Sequence, residues 1–339
     1  MSSLLLASLL VTVAAGDWDR FDRPVEIRLE KPGPVRVVEV DAGGRTLDPA
    51  VPCQLEPDGT LTFLMAGVTK AGAERRFQVL FEASKPVPAF VRLEEVADYQ
   101  GQASFRIETP AATYYYHKAG AGFASLIDPD GNDWISYRPT GGSDGRYRGI
   151  PNLIHPENDF HPGGVNSVSR AESGPLKVTI HSETRDGAWA GRWDIFPYLA
   201  RFTLLRAPRP YWFLYEGTPG GQLDLDRDWW ASSDGSIQPI TESWAGKLPA
   251  PQWAVFGDRA QVRILFVAQH EPDEAPDQFW QMEGNMTVFG FGRQYRCCEK
   301  YLTAVPAHFT VGLAETADLD RAVKFVESAV RPLSIRIEP

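Results

Sequence analysis

Two of the six histidines lie in the stretch RGIPNLIHPENDFHPGG, from Arg148 to Gly164. An imidazole exchanges its proton near neutral pH, so His155 and His161 are candidates for acid–base work. Glu157, Asn158 and Asp159 lie between them. The stretch repeats neither every two residues, like a strand, nor every three to four, like a helix. A loop carried on a rigid β scaffold is where catalytic groups concentrate. The two histidines are six positions apart and lack the i, i+4 spacing of a helical metal site, so proton transfer is favoured over metal binding. The bland alternative is a loop whose histidines are pinned by hydrogen bonds.

Other residues could join them. Glu216 ends YWFLYEG just before a Pro-Gly-Gly turn, and apolar neighbours would raise its pKa toward acid–base duty. Tyr116 lies in ATYYYHK, where strand alternation sets it on the face opposite Tyr115 and His117. Arg201, Arg146 and Arg192 supply cations, and Trp189, Trp193 and His181 supply rings in KVTIHSETR and WAGRWDIFPYLARF. This equipment suits β-elimination beside a uronic acid. Arg or His neutralises the carboxylate, His or an ionised Tyr takes the neighbouring proton, and an acid protonates the departing oxygen. His155, His161, Tyr116, Arg201 and Glu216 are the expected catalytic residues. Arg146, Trp189, Arg192, Trp193 and His181 are the expected substrate contacts. A glycosidase would instead need two carboxylates across a cleft, from Glu157, Asp159, Glu216 and Glu242. A non-catalytic sugar-binding or cell-surface module would need only exposed rings. No GxSxG occurs, so Ser nucleophilic catalysis is not supported.

Short strands must position these groups. Gly and Pro are abundant, at 30 and 27 residues, and ten tryptophans accompany them, which points to an all-β sandwich. VEIRLE, VRVVEV, TLTFLMAG and RRFQVLFEA read as strands of a small first domain, with Asp58-Gly59 as a hairpin turn. The Pro-containing EASKPVPAF suggests a boundary near its prolines. Longer strands follow. DPDGND reads as a turn rather than a calcium loop, because Gly131 falls at its fourth position and not its sixth. Asp224, Asp226 and Asp228 would share one face if DLDRDWW were a strand, giving a cation site; a solvated face or loop is the competing reading. Leu319, Ala322, Val323, Val326, Ala329 and Val330 form the stripe of a C-terminal amphipathic helix, capped by Asp318 or Thr316 and stopped by Pro332. A shorter helix is expected over PDQFWQME.

The formal charge of −10 argues against nucleic acid and anionic membrane partners. The apolar run Leu4–Val13, followed by small residues, reads as a signal peptide ending at Ala15, which implies a secreted or periplasmic protein. Of three cysteines, Cys53 could pair with Cys297 or Cys298, or all could be buried thiols.

FRIETPAATYYYHKAGAGFASLIDPDGNDWISY resembles the first strands of the galactose-mutarotase-like β-supersandwich. The resemblance rests on Gly120-Ala121-Gly122 followed by Ser125-Leu126-Ile127-Asp128 and Gly131, and extends over about residues 98–315. With the leader-like run and the strands of the first domain, the expected all-β organisation is a signal peptide over 1–15, a small N-terminal β-sandwich over 16–95 and, as the resemblance implies, a supersandwich over 96–339. The fold hosts aldose epimerases, polysaccharide lyases, glycosidase-associated domains and binding modules, so it fixes no activity. An epimerase of this kind would need two histidines with a late glutamate, Glu242 or Glu283. The expectation is a carbohydrate-active enzyme without cofactor or metal. Its best reading is a lyase on a uronate-containing polysaccharide or oligosaccharide.

Overall fold

The computed structural model describes residues 8–30, 33–82, 88–140, 148–157, 159–294 and 298–339. Arg146 and Asn158 lie outside them. The chain divides into two compact units, residues 1–90 with 174–177 and 327–339, and residues 91–173 with 178–326.

The first unit begins with β1 (Ser8–Ala14), β2 (Arg20–Arg28), β3 (Arg36–Val40), β4 (Thr46–Val51), β5 (Cys53–Leu55), β6 (Thr60–Thr69) and β7 (Glu74–Leu80). The order β2-β6-β5 makes one sheet, and β1-β7-β3-β4 the body of another. Alternating apolar residues from both sheets, among them Val11, Val13, Val25, Val37, Phe63 and Phe77, fill one core. Asp58-Gly59 turns β5 into β6: Asp58 Oδ1 accepts the Thr60 N–H at 2.8 Å. The residues expected to leave with a leader form, over Ser8–Ala14, an interior strand whose Val11 and Val13, like Ala15 just after it, are fully buried. Leader cores and buried strands are both short apolar runs, so the sequence pattern fits either. Cys53 carries a free thiol and Cys298 is disulfide-bonded, so no bridge forms from Cys53.

The second unit carries β8 (Arg92–Tyr99), β9 (Gln102–Glu108), β10 (Thr113–His117), β11 (Gly122–Ile127), β12 (Ser167–Ser173), β13 (Val178–Thr184), β14 (Ala190–Ile195), β15 (Ala200–Arg206) and β16 (Phe213–Gly217). It continues with β17 (Asp228–Ser232), β18 (Ile237–Pro239), β19 (Trp244–Gly246), β20 (Trp253–Asp258), β21 (Ile264–Gln269), β22 (Asp277–Met282), β23 (Met286–Phe291) and β24 (Ala307–Ala314). A nine-stranded sheet, β12-β13-β14-β15-β24-β21-β20-β17-β18, is accompanied by two four-stranded sheets, β11-β10-β9-β8 and β16-β23-β22-β19. Aromatic side chains fill the space between: Phe213 of β16 stacks on Phe309 of β24 at 4.2 Å, and Trp193 packs against Phe123 and Phe202. This is the all-β sandwich expected from composition.

Helix α1 (Leu319–Val330) follows, with Asp318 Oδ1 accepting the Arg321 N–H as its cap and Ala322 and Val326 fully buried. The last strand, β25 (Ser334–Glu338), pairs antiparallel with β1 and so belongs to the first unit's sheet. PDQFWQME is not a helix. It forms β22, because β19 and β23 pair with it on both sides and Phe279 stacks on Trp230 at 4.5 Å. DPDGND is a turn in which Asp128 Oδ1 accepts the Asp130 and Asn132 N–H groups and Gly131 has φ +91°. Residues 224–228 also turn: the Asp228 carboxylate accepts the Asp224 N–H, so the three aspartates do not share a strand face.

A histidine–glutamate cluster as the candidate active site

The segment after Arg148 runs beside β16 as an irregular extra strand. Gly149 and Glu216 exchange both backbone hydrogen bonds, and Leu214 and Trp212 donate to the carbonyls of Asn152 and Leu153. This register sets Asn152 beside Glu216, and Asn152 Nδ2 donates to Glu216 Oε2 at 3.2 Å. Asn152 Oδ1 in turn accepts the backbone N–H of His155 at 3.2 Å.

His161 reaches the same carboxylate from the far end of the loop. Its N–H donates to the Gly120 carbonyl at 2.8 Å, and Pro162 after it lies flat against three glycines. A Cβ at Gly122 would lie 2.6 Å from Pro162 Cδ, one at Gly149 2.2 Å from Pro162 Cγ, and one at Gly120 2.5 Å from the His161 carbonyl. The glycines of the Gly120-Ala121-Gly122 motif therefore seat the histidine loop. His117 fixes it from below: its Nδ1 accepts the Gly163 N–H and its Nε2 donates to the Tyr99 carbonyl. Burial above all pushes His117 down to about 4, so that ring is neutral. The result places His161 Nε2 3.3 Å from Glu216 Oε2. His161 is 7% exposed and Glu216 4%. The contact is close in distance but off the N–H direction, so Nε2 makes no hydrogen bond among the described residues.

Residues from the far end of the unit complete the cluster. Arg293 and Lys300 are bridge partners just after β23. Lys300 Nζ donates to the His155 carbonyl at 2.5 Å and sits 4.4 Å over the Trp212 ring. The Arg293 guanidinium lies 5.6 Å from the Trp212 ring and 5.7 Å from Trp280. Burial lowers the Arg293 pKa, with Glu216 opposing the shift. Burial, assisted by the charges of His161, Lys300 and Arg293 and opposed by Glu157, pushes His155 down to about 4. His155 is thus an uncharged base at neutral pH. Glu157 is held by Arg209 at 2.7 Å.

Of the residues expected from sequence, His155, His161 and Glu216 come together. The rest do not join them. Tyr116 is fully buried with its hydroxyl 2.8 Å from Ser182 Oγ, and burial drives its pKa far up, so it is no base. Trp193 is a core residue and Trp189 is buried, because the sequence alternation does not say which strand face meets solvent. Arg192 and Arg201 converge on Asp194, at 3.0 and 3.6 Å, as an ion-pair cluster on the nine-stranded sheet. His181 lies exposed on β13 between its cross-strand partners Arg170 and Arg192, lining a separate shallow hollow of about 250 Å³. Glu242 and Glu283 are exposed turn residues, so the late glutamate of an epimerase is not supplied by them. Sequence reasoning missed Asn152, Trp212, Arg293 and Lys300. The one signal for the two cations was the basic run GRQYRCCEK.

No protein-family model matches the chain, and no curated protein matches its sequence. Solved structures do match in shape. A protein in glycosyl hydrolase family 38 from Enterococcus faecalis aligns with TM-score 0.56 and 9% identity, over 99% of this chain and 48% of that one. The chain thus spans about half the length of that relative. HI1317 aligns with TM-score 0.46 and 10% identity, over 66% of this chain and 99% of that one. YeaD from Salmonella typhimurium, whose mutarotase name is itself provisional, aligns with TM-score 0.42 and 11% identity, over 68% and 97%. The likeness to the glycosyl hydrolase family 38 structure is one of fold.

Proposed function

We propose that this chain is a carbohydrate-active enzyme that moves protons through His155, His161 and Glu216. The observation that carries the reading is the 3.3 Å approach of buried His161 Nε2 to Glu216 Oε2, beside an uncharged His155. The finer proposal is β-elimination on an acidic glycan. His155 takes the proton on the carbon next to the sugar carboxylate. The electron pair of that C–H bond forms the new C=C bond and expels the glycosidic oxygen. His161, 3.3 Å from the Glu216 carboxylate, gives that oxygen its proton. Asn152 holds Glu216 in place. The glycosyl hydrolase name of the Enterococcus faecalis neighbour supports a sugar as substrate, and the buried Arg293 supports an acidic one.

The test is absorbance near 235 nm, where an unsaturated uronate absorbs, with purified protein and a panel of acidic polysaccharides. Wild type should raise the signal, and His155→Ala and His161→Ala should each abolish it. New reducing ends without that signal would mean hydrolysis, and neither product would mean a binding module. Location is a separate proposal. The apolar Leu4–Val13 run supports export, whereas buried β1 supports keeping the same residues in the mature protein. N-terminal sequencing of exported material distinguishes the two.

A further inference from the structure

Arg293 is 8% exposed, yet its Nε and Nη1 are buried without a hydrogen-bond partner among the described residues. A guanidinium presents five N–H donors and stays charged, so leaving it dry and unpaired is costly. The opposing charge that acts on it is Glu216, which already accepts from Asn152 and faces His161. The flanking groups also suit a sugar acid. Trp280 is half-buried and Trp212 fully so, giving the guanidinium an aromatic frame, and Lys300 adds a second cation over Trp212.

We infer that Arg293, seconded by Lys300 and framed by Trp212 and Trp280, is the seat for the carboxylate of a uronate sugar and sets the specificity of the site for acidic over neutral glycans. The inference rests on the proposed reading of the His155–His161–Glu216 cluster as a sugar site. Charge-assisted bonds from guanidinium to carboxylate are among the strong hydrogen bonds. A bound carboxylate supplies the acceptors that Arg293 lacks. Its neutralisation also acidifies the adjacent C–H that His155 addresses. A Lys at this position would keep the charge but lose the planar donor array.

The experiment measures binding apart from turnover, by calorimetry on the full chain carrying Glu216→Gln. The probes are the trimers of galacturonate, glucuronate and mannuronate, each beside its own methyl ester, which removes the carboxylate charge at the cost of one added methyl group per sugar. At least one acid should bind ten-fold or more tightly than its ester. Adding Arg293→Gln should bring that ratio to about one, Arg293→Lys should restore part of it, and Trp280→Ala should weaken acid and ester alike. Should Arg293→Gln fail to fold, Lys300→Gln serves, with a smaller loss of preference. No acid preference in any pair, or a preference that survives Arg293→Gln, overturns the seat. Acid preference without any 235 nm product from wild type would refute the lyase reading and leave the seat standing. Undiminished 235 nm activity in Arg293→Gln would do the reverse.

Discussion

Gly149→Ala tests whether a glycine twelve residues earlier in the same loop sets the position of His161. The added Cβ would lie 2.2 Å from Pro162 Cγ and 2.4 Å from Pro162 Cδ. Carbon atoms rest at about 3.5–4.0 Å, so the ring must retreat by about 1.3 Å or more. Pro162 cannot retreat alone, because His161 before it is tied to the Gly120 carbonyl. Overpacking of this kind costs about 1–3 kcal/mol. At about 2–4 °C per kcal/mol for a domain of this size, the unit should melt about 2–12 °C lower. A displacement near 1 Å also carries His161 away from its 3.3 Å approach to Glu216. A shift of that size costs on the order of 100-fold in rate. Scanning calorimetry gives the first quantity. The chemical shift of the His161 Cε1–H resonance reports the displacement without needing a substrate. Gly33→Ala, where a Cβ meets nothing within 4 Å, is the control. If Gly149→Ala melts like the control and leaves the His161 Cε1–H resonance in place, the glycine-seated proline does not position the histidine.

Other outcomes follow from the same geometry. Burial holds Asp277 at about 7, against about 3.9 in the unfolded chain. Because the folded value is raised, its stabilising share is present below about pH 4 and is lost as pH rises through about 7, a change of about 4 kcal/mol. Asp277→Asn should flatten that part of the stability–pH curve in urea melts, and an unchanged slope would refute the assignment. Since His155 titrates at about 4, turnover on a glycan substrate should fall on the acid side as pH drops through that value. An acid limb near 6.5 would point to another base. Tyr116→Phe should cost about 0.5–1.5 kcal/mol through its lost Ser182 contact and leave turnover intact, which a kinetic assay beside a melt can show. Removing residues 8–15 should leave the first unit open to proteolysis, whereas a stable fragment would show that β1 is dispensable.

The sequence showed the class of this fold well and its site in part. Period-two runs and turn dipeptides located most strands, and Asp318 and Pro332 bounded the helix. The histidine loop and Glu216 stood out because their residue types are rare in such surroundings. Side-chain direction was the hidden variable for Tyr116, Trp189 and Trp193: a strand's alternation names two faces but not which one is buried. Arg293 and Lys300 were hidden for a different reason. They reach His155 only through pairing after β23, more than a hundred residues along the chain, and no local pattern carries that distance. The leader-like first residues illustrate a third limit, since an apolar decapeptide suits a membrane-targeting segment and a buried strand equally.

The pairing of β1 with β25 bears on how the chain is made. Leu10 meets Glu338, so the sheet that holds β1 is completed only by residues made more than three hundred positions later. At about 5–20 residues per second, one edge of β1 stands unpaired for roughly 15–60 s of synthesis. An open apolar strand edge is a template for pairing with other chains. Residues 91–173 and 178–326, whose sheets draw only on themselves, have all their strands before that moment. The second unit can therefore be assembled while the first still waits, and it is the first unit whose yield should depend on a chaperone that shields strand edges during translation.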